Sequence, residues 1–154
     1  MNGEAGPILV SACLVGVPCR YDGQERPSPG VRRLFEEGRA LAVCPEELGG
    51  LGTPRPAAGL EGGGGAEVWQ GRARVLNRLG VDVTEAFQNG AREALRQARE
   101  CGARRAILKQ HSPSCGVGSA GSSAGTRIPA DGVTTALLRS EGIQVISDEE
   151  FESS

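Results

Sequence analysis

The chain has 154 residues, of which 24 are Gly and 9 are Pro, and only 38% of it is hydrophobic. It is long enough to bury a core, yet it must carry long glycine-rich loops. Lys and Arg total 17 against 19 Asp and Glu, for a net charge of -2, and no tract is strongly basic, so a grip on a nucleic-acid backbone is not expected. No run reaches 18 apolar residues and the first seven residues lack the pattern of a secretory signal, so the expectation is a cytoplasmic protein without a membrane partner.

Residues 1–7 read as a flexible N-terminus and 8–154 as one folded domain. Ile8-Leu9-Val10 is a β-rich run, and a strand ending at Cys13 is the natural reading. Residues 16–30 are loop. Val31, Leu34 and Phe35 recur at helical spacing up to Gly38, and Leu41-Ala42-Val43 is a second buried strand that runs into Cys44, where Pro45 blocks further ladder bonding. Residues 49–65 are mostly Gly, Pro and Ala. Gly62-Gly63-Gly64-Gly65 reads as a mobile tip or the scar of a longer loop, with Val68-Trp69 and Ala73–Leu76 as two short strands.

Thr84 is placed to cap the strongest helix, whose apolar face carries Phe87, Ala91, Ala94, Leu95 and Ala98 and which Gly102 ends. Ala106-Ile107-Leu108 is a third strand. The stretch 112–132 is Ser/Gly-rich loop. Val133 to Leu138 begins a helix stopped by Gly142, Ile143 to Ile146 is a fourth strand, and Ser147 with Glu150 reads as a capping box. Short apolar strands alternating with amphipathic helices predict a small single-domain α/β sandwich with a mostly parallel sheet, Rossmann-like.

Three strands end in reactive sequence: Ser11-Ala12-Cys13, then Cys44-Pro45-Glu46-Glu47, then Lys109 through Cys115. In open parallel sheets ligands bind outside the carboxyl ends of the strands, so Cys13, Cys44 and Cys115 should converge. Three thiolates leave one coordination position open, as catalytic sites do, and soft sulfur ligands favour zinc, copper or iron–sulfur. The five cysteines include no Cys-x2-Cys pair, so any metal site is assembled by the fold. Cys101 reads as a core residue, and Cys19 as a spare ligand, a redox partner or an inert thiol.

Other candidates surround that edge. Glu46 or Glu47 could activate water; a charged loop explains them as well. Lys109, the only Lys, could donate to a carbonyl or an anion, or simply be a solvated strand-end residue. Ser112 and Ser114 either contact substrate or form the turn that presents Cys115. His111, the only His, reads as local structure. Gly121-Ser122-Ser123-Ala124-Gly125 matches G-x-S-x-G, but neither the preceding strand nor a downstream His is present, which excludes the hydrolase elbow.

The islands Ser11-Ala12-Cys13-Leu14-Val15-Gly16, Cys19-Arg20-Tyr21-Asp22-Gly23, Cys44-Pro45-Glu46, Gly49-Gly50-Leu51, Thr53-Pro54-Arg55, Asp82-Val83-Thr84 and Ser112-Pro113-Ser114-Cys115-Gly116 appear in that order. Together they closely resemble the thiouracil desulfurases, the small bacterial family once called domain of unknown function 523. The resemblance implies a 4Fe-4S cluster held by Cys13, Cys44 and Cys115, with one iron lacking a protein ligand. It implies non-redox conversion of 2-thiouracil to uracil and sulfide, with Glu46, Glu47, Lys109, Ser112 and Ser114 as catalytic candidates. Expected partners are a thiolated base or nucleoside and the iron–sulfur assembly machinery. The stretch 118–126 departs from the family, lacking its Tyr and Phe; this supports an alternative, an iron–sulfur or zinc protein that handles sulfur without turning over thiouracil.

Overall fold

The computed structural model describes residues 6–23 and 27–153; most of the expected N-terminal segment lies outside them. In chain order the first elements are β1 (Ile8–Ser11), α1 (Pro29–Glu36), β2 (Ala40–Val43), α2 (Pro45–Leu48), β3 (Ala58–Glu61), α3 (Gly65–Trp69) and β4 (Arg74–Asn77). The second half holds α4 (Thr84–Cys101), β5 (Arg105–Leu108), β6 (Ala120–Gly121), β7 (Arg127–Ile128), α5 (Val133–Ser140), β8 (Gln144–Ser147) and α6 (Asp148–Glu152).

The predicted apolar runs form one parallel sheet in the order β2-β1-β5-β8. Both faces are covered, as a parallel sheet requires. The period-two alternation of β1 sends Leu9 to one face, where Leu108, Ala106 and Val145 join Ala94, Leu95 and Ala98 of α4. Ile8 and Val10 point to the other face, against Val31 and Leu34 of α1. A third cluster, Leu60, Val68, Val75, Phe87, Ala91 and Val133, lies beneath the antiparallel pair β3–β4. The fold is thus the expected α/β layer structure with a Rossmann-like parallel sheet.

Several local expectations are corrected. β1 stops at Ser11, and Cys13 sits in a 3-10 turn, Ala12–Val15, that Gly16 ends at φ 101°. Val68-Trp69 belongs to helix α3 rather than a strand; Val68 is buried and the Trp69 indole N–H donates to Val133 O at 2.9 Å. The Gly62–Gly65 run is no mobile tip. A Cβ on Gly65 would lie 2.2 Å from Gly132 O, and one on Gly64 would lie 2.4 Å from the Cβ of Ala130, so glycine is there to let two backbones meet. The loop 112–132 also contains a small hairpin, β6–β7.

Helix α4 buries Phe87, Ala91, Ala94, Leu95 and Ala98 as expected. Thr84 is its first residue rather than its cap. The Thr84 hydroxyl accepts from Val75 N at 2.8 Å, and Asp82 Oδ1 accepts from Thr84 N at 2.9 Å. The hydrogen bonds from Thr84 hold the Asp82 carboxyl below its ordinary range. Ser147 does cap α6, accepting from Glu150 N at 3.0 Å. Phe35 of α1 is 43% exposed, off the buried face.

Helix α2 is pressed onto α4 through two glycines. A Cβ on Gly90 would lie 1.8 Å from Pro45 O, and one on Gly49 would lie 2.0 Å from Ala86 O. The short helix that follows Cys44 is therefore seated on the longest helix with backbone-to-backbone contact.

Candidate active site

The strand order places the site. Chain connection moves from β1 outward to β2, then returns to lay β5 on the other side of β1. Such a reversal opens a crevice at the carboxyl ends of the two central strands, where their crossovers part. A cavity of about 840 Å³ lies there, and its wall includes Cys13, Cys19, Cys44 and Cys115 together with Glu46, Arg55, Lys109, Ser112 and Ser114. Cys101 sits elsewhere, at the end of α4 against the core.

Of the four cavity cysteines, Cys13, Cys19 and Cys44 lie against one another, and Cys115 stands against Ser11 and Ser114. Cys13, Cys19 and Cys115 are buried and Cys44 is half-buried. The thiols of Cys13 and Cys44 both hydrogen-bond that of Cys19. The Cys44 thiol also lies 3.6 Å from Cys19 O. The bond with Cys13, assisted by burial, pushes Cys19 up to about 12, although Cys44 opposes it. The bond with Cys19, and then burial, push Cys44 above the usual thiol range. Burial pushes Cys115 up to about 12, against the opposing hydroxyls of Ser11 and Ser114. Among the described residues no three His, Cys, Asp or Glu side chains gather tightly enough for a single metal ion.

The loop after β5 is built to present Cys115. The Ser112 hydroxyl accepts from Ser114 N at 3.1 Å and from Cys115 N at 3.0 Å, the local turn that Ser side chains favour. Ser114 is 1% exposed, and its hydroxyl pairs with that of Thr134 at 2.8 Å. The Thr135 hydroxyl donates to Cys115 O at 2.9 Å. Gly116 is needed because a Cβ would lie 2.1 Å from Ser119 O.

Glu46 and Glu47 part company. Glu46 lies on the cavity wall and its Oε1 accepts from Arg55 Nε at 2.8 Å, with side-chain exposures of 16% and 7%. Glu47 is exposed and hydrogen-bonded by the Thr53 hydroxyl. Lys109 also lines the cavity, its Nζ 3.7 Å from Asp148 Oδ2, and Asp148 Oδ1 accepts from Gln110 N at 2.7 Å. The strand ends at Leu108, so Lys109 opens the loop that follows it. His111 also lines the cavity; it adopts φ 72°, and its ring contacts Ser119 Oγ at 2.8 Å and Glu149 Oε2 at 3.3 Å.

Four further residues have contacts that the sequence does not show. Ser11 accepts from Lys109 N at 2.9 Å and hydrogen-bonds the Cys115 thiol, joining two loops that only the β1–β5 pairing brings together. Asp148 reaches Lys109 because β8 pairs with β5. Arg55 meets Glu46 across a loop that contains a cis Thr53–Pro54 bond. Tyr21 lines the same cavity, and so supplies an aromatic ring that the loop 118–126 does not.

Comparison with known proteins agrees with this geometry. The family model described as 2-thiouracil desulfurase matches residues 8–150. The uncharacterised protein YbbK of Bacillus subtilis is 46% identical over 146 residues, covering 94% of this chain and 97% of that protein. A solved structure, a 4Fe-4S-dependent thiouracil desulfidase called TudS, superposes with a TM-score of 0.83 at 45% identity, covering 96% of this chain and 94% of its own.

Proposed function

Since the chain belongs to the 2-thiouracil desulfurase family, we propose that it hydrolyses 2-thiouracil to uracil and sulfide, using a 4Fe-4S cluster held by Cys13, Cys44 and Cys115. The observation that carries this reading is that these three thiols come from the carboxyl ends of three adjacent parallel strands and line one cavity. The donors suit the group: soft thiolates favour iron–sulfur. Three cysteines leave one iron without a protein ligand.

When bound, the cluster supplies a thiophilic Lewis acid that polarises the carbon–sulfur bond. The chain's residues do the rest. Glu46, on the cavity wall, accepts a proton from the water that adds to the thiocarbonyl carbon. Lys109, steadied by Asp148, donates from Nζ to the exocyclic carbonyl oxygen of the base and balances charge that develops on the pyrimidine. Ser112 and Ser114 act by holding the Cys115 loop. Tyr21 offers a face for the base to stack on, a contact worth about 1–3 kcal/mol in single-strand binders. Water replaces sulfur at carbon, sulfur leaves as sulfide, and no electrons are exchanged. The substrate is a free thiolated base or nucleoside, and the iron–sulfur assembly machinery supplies the cluster.

The test is anaerobic reconstitution with iron and sulfide, followed by iron counting, EPR and sulfide release from 2-thiouracil. The expected result is about four irons per chain, lost in C13S, C44S and C115S and kept in C101S, with sulfide released by the unaltered chain. Stoichiometric zinc in place of a stable cluster would overturn the reading. A stable cluster with no sulfide released would leave cluster binding without turnover as the function.

A further inference from the structure

We propose that Arg55 is a positioning residue of this reaction, one that fixes the Glu46 carboxylate by a single oxygen and leaves the other for water. The inference rests on the reading of Glu46 as the base.

The cavity wall holds two carboxylates, Glu46 and Glu61. Glu61 is committed to Arg74 at 2.6 Å on the exposed β3–β4 hairpin, so Glu46 is the one left for chemistry. Its contact with Arg55 is not the bidentate fork that guanidinium usually makes with carboxylate. Only Nε reaches it, at 2.8 Å, and only Oε1 accepts. Among the described residues Oε2 has no protein partner.

The rest of the guanidinium is tied down elsewhere. Nη1 donates to Gly52 O at 3.0 Å and to Thr53 Oγ1 at 2.8 Å, and Nη2 donates to Cys19 O at 2.9 Å. The backbone joins in, with Arg55 N donating to Tyr21 O at 2.7 Å. Three fixed acceptors therefore set the plane of the guanidinium, and that plane sets where Oε1 sits. A lysine could keep the charge but not this geometry, because an ammonium is a point donor on a flexible stem. A doubly paired carboxylate would be a weaker base, with both oxygens already accepting from the cation; an unheld one would lose the near-attack geometry on which proton transfer depends.

The experiment compares E46Q, R55K, R55M and the double variant R55M/E46Q after anaerobic reconstitution. It measures iron per chain, thermal midpoint, and kcat and KM with 2-thiouracil. R55M is expected to lower kcat on the order of 10²-fold, the cost of misplacing a catalytic group by about 1 Å. KM and iron content should stay within about twofold, and R55K should recover little of the rate. R55M should cost nothing further in the E46Q background, since it acts only through Glu46. A merely structural Arg55 would instead give losses that add to those of E46Q, or that follow the loss of iron or of thermal stability, and either result overturns the proposal. E46Q inactive beside a fully active R55M would refute Arg55 alone. E46Q with normal turnover would refute the reading of Glu46 and this inference with it.

Discussion

Gly90 lies on α4, outside the cavity wall, yet its replacement by alanine should disable the site. The new Cβ would lie 1.8 Å from Pro45 O, where ordinary contact begins at 3.4 Å, so α2 must back away by roughly 1.5 Å. The clash is with backbone, which cannot swing aside as a side chain can. Overpacking of this kind costs about 1–3 kcal/mol, and the better helix propensity of alanine returns about 1 kcal/mol. The net loss of about 0–2 kcal/mol lowers the thermal midpoint by only a few degrees, at roughly 2–4 °C per kcal/mol for a chain of this size. The effect on chemistry is larger, because α2 begins at Pro45, directly after Cys44, and carries Glu46. A displacement above 1 Å costs on the order of 10²-fold in rate. G90A should therefore lose activity out of proportion to stability, read by calorimetry alongside sulfide release from the reconstituted chain. G49A should behave alike, since its Cβ would lie 2.0 Å from Ala86 O. A G90A chain with unaltered thermal midpoint and kcat would refute the claim that the glycine contact sets the position of α2.

Three further variants probe separate parts of the argument. S112A removes the acceptor for two backbone N–H groups; it should cost about 1–3 kcal/mol and lower the iron retained per chain, and full iron retention would show that the Cys115 loop holds itself. C19S should keep its iron, because Cys13, Cys44 and Cys115 suffice as ligands; iron lost as in C44S would make Cys19 a ligand. The Glu152 carboxyl, hydrogen-bonded by the Ser28 hydroxyl and then by Gly30 N at 2.8 Å, is held below its ordinary value. A depressed folded value means that the contact stabilises at neutral pH and fades as pH falls through it, below about pH 4. E152Q should melt lower than the unaltered chain at pH 7, with the gap closing in acid; a gap independent of pH would refute the assignment to charge.

Much of this was legible in the residues. The four strands of the sheet are short apolar runs bounded by Gly, Pro or charge, and their parallel arrangement follows from the intervening helices. That alone puts Cys13, Cys44 and Cys115 at one edge. The elements that escaped have little pattern to show. β3 reads Ala-Gly-Leu-Glu and β6 is two residues long, too brief for a period-two signal, and α3 starts at Gly65 for a reason held by Gly132, which lies far along the chain. Within the site, adjacency hides pairings: Ser11 with Cys115, Lys109 with Asp148 and Glu46 with Arg55 depend on strand neighbours and a loop path. The two neighbouring glutamates look equivalent in sequence, and only the fold turns Glu46 inward and leaves Glu47 in solvent.

The strand order has a consequence for how the protein matures. The three cysteines leave three separate crossovers, and the last lies beyond β5, which must pair with β1 before Cys115 can face Cys13. No fragment that stops short of Cys115 holds the complete set, so a nascent or truncated chain offers a metal only scattered thiols. On the proposed ligand set, cluster loading would then report that β5 has paired with β1. Whatever binds the assembled thiols and not the unfolded chain adds its binding energy to the native state, so the sheet and the metal centre should fail together on heating.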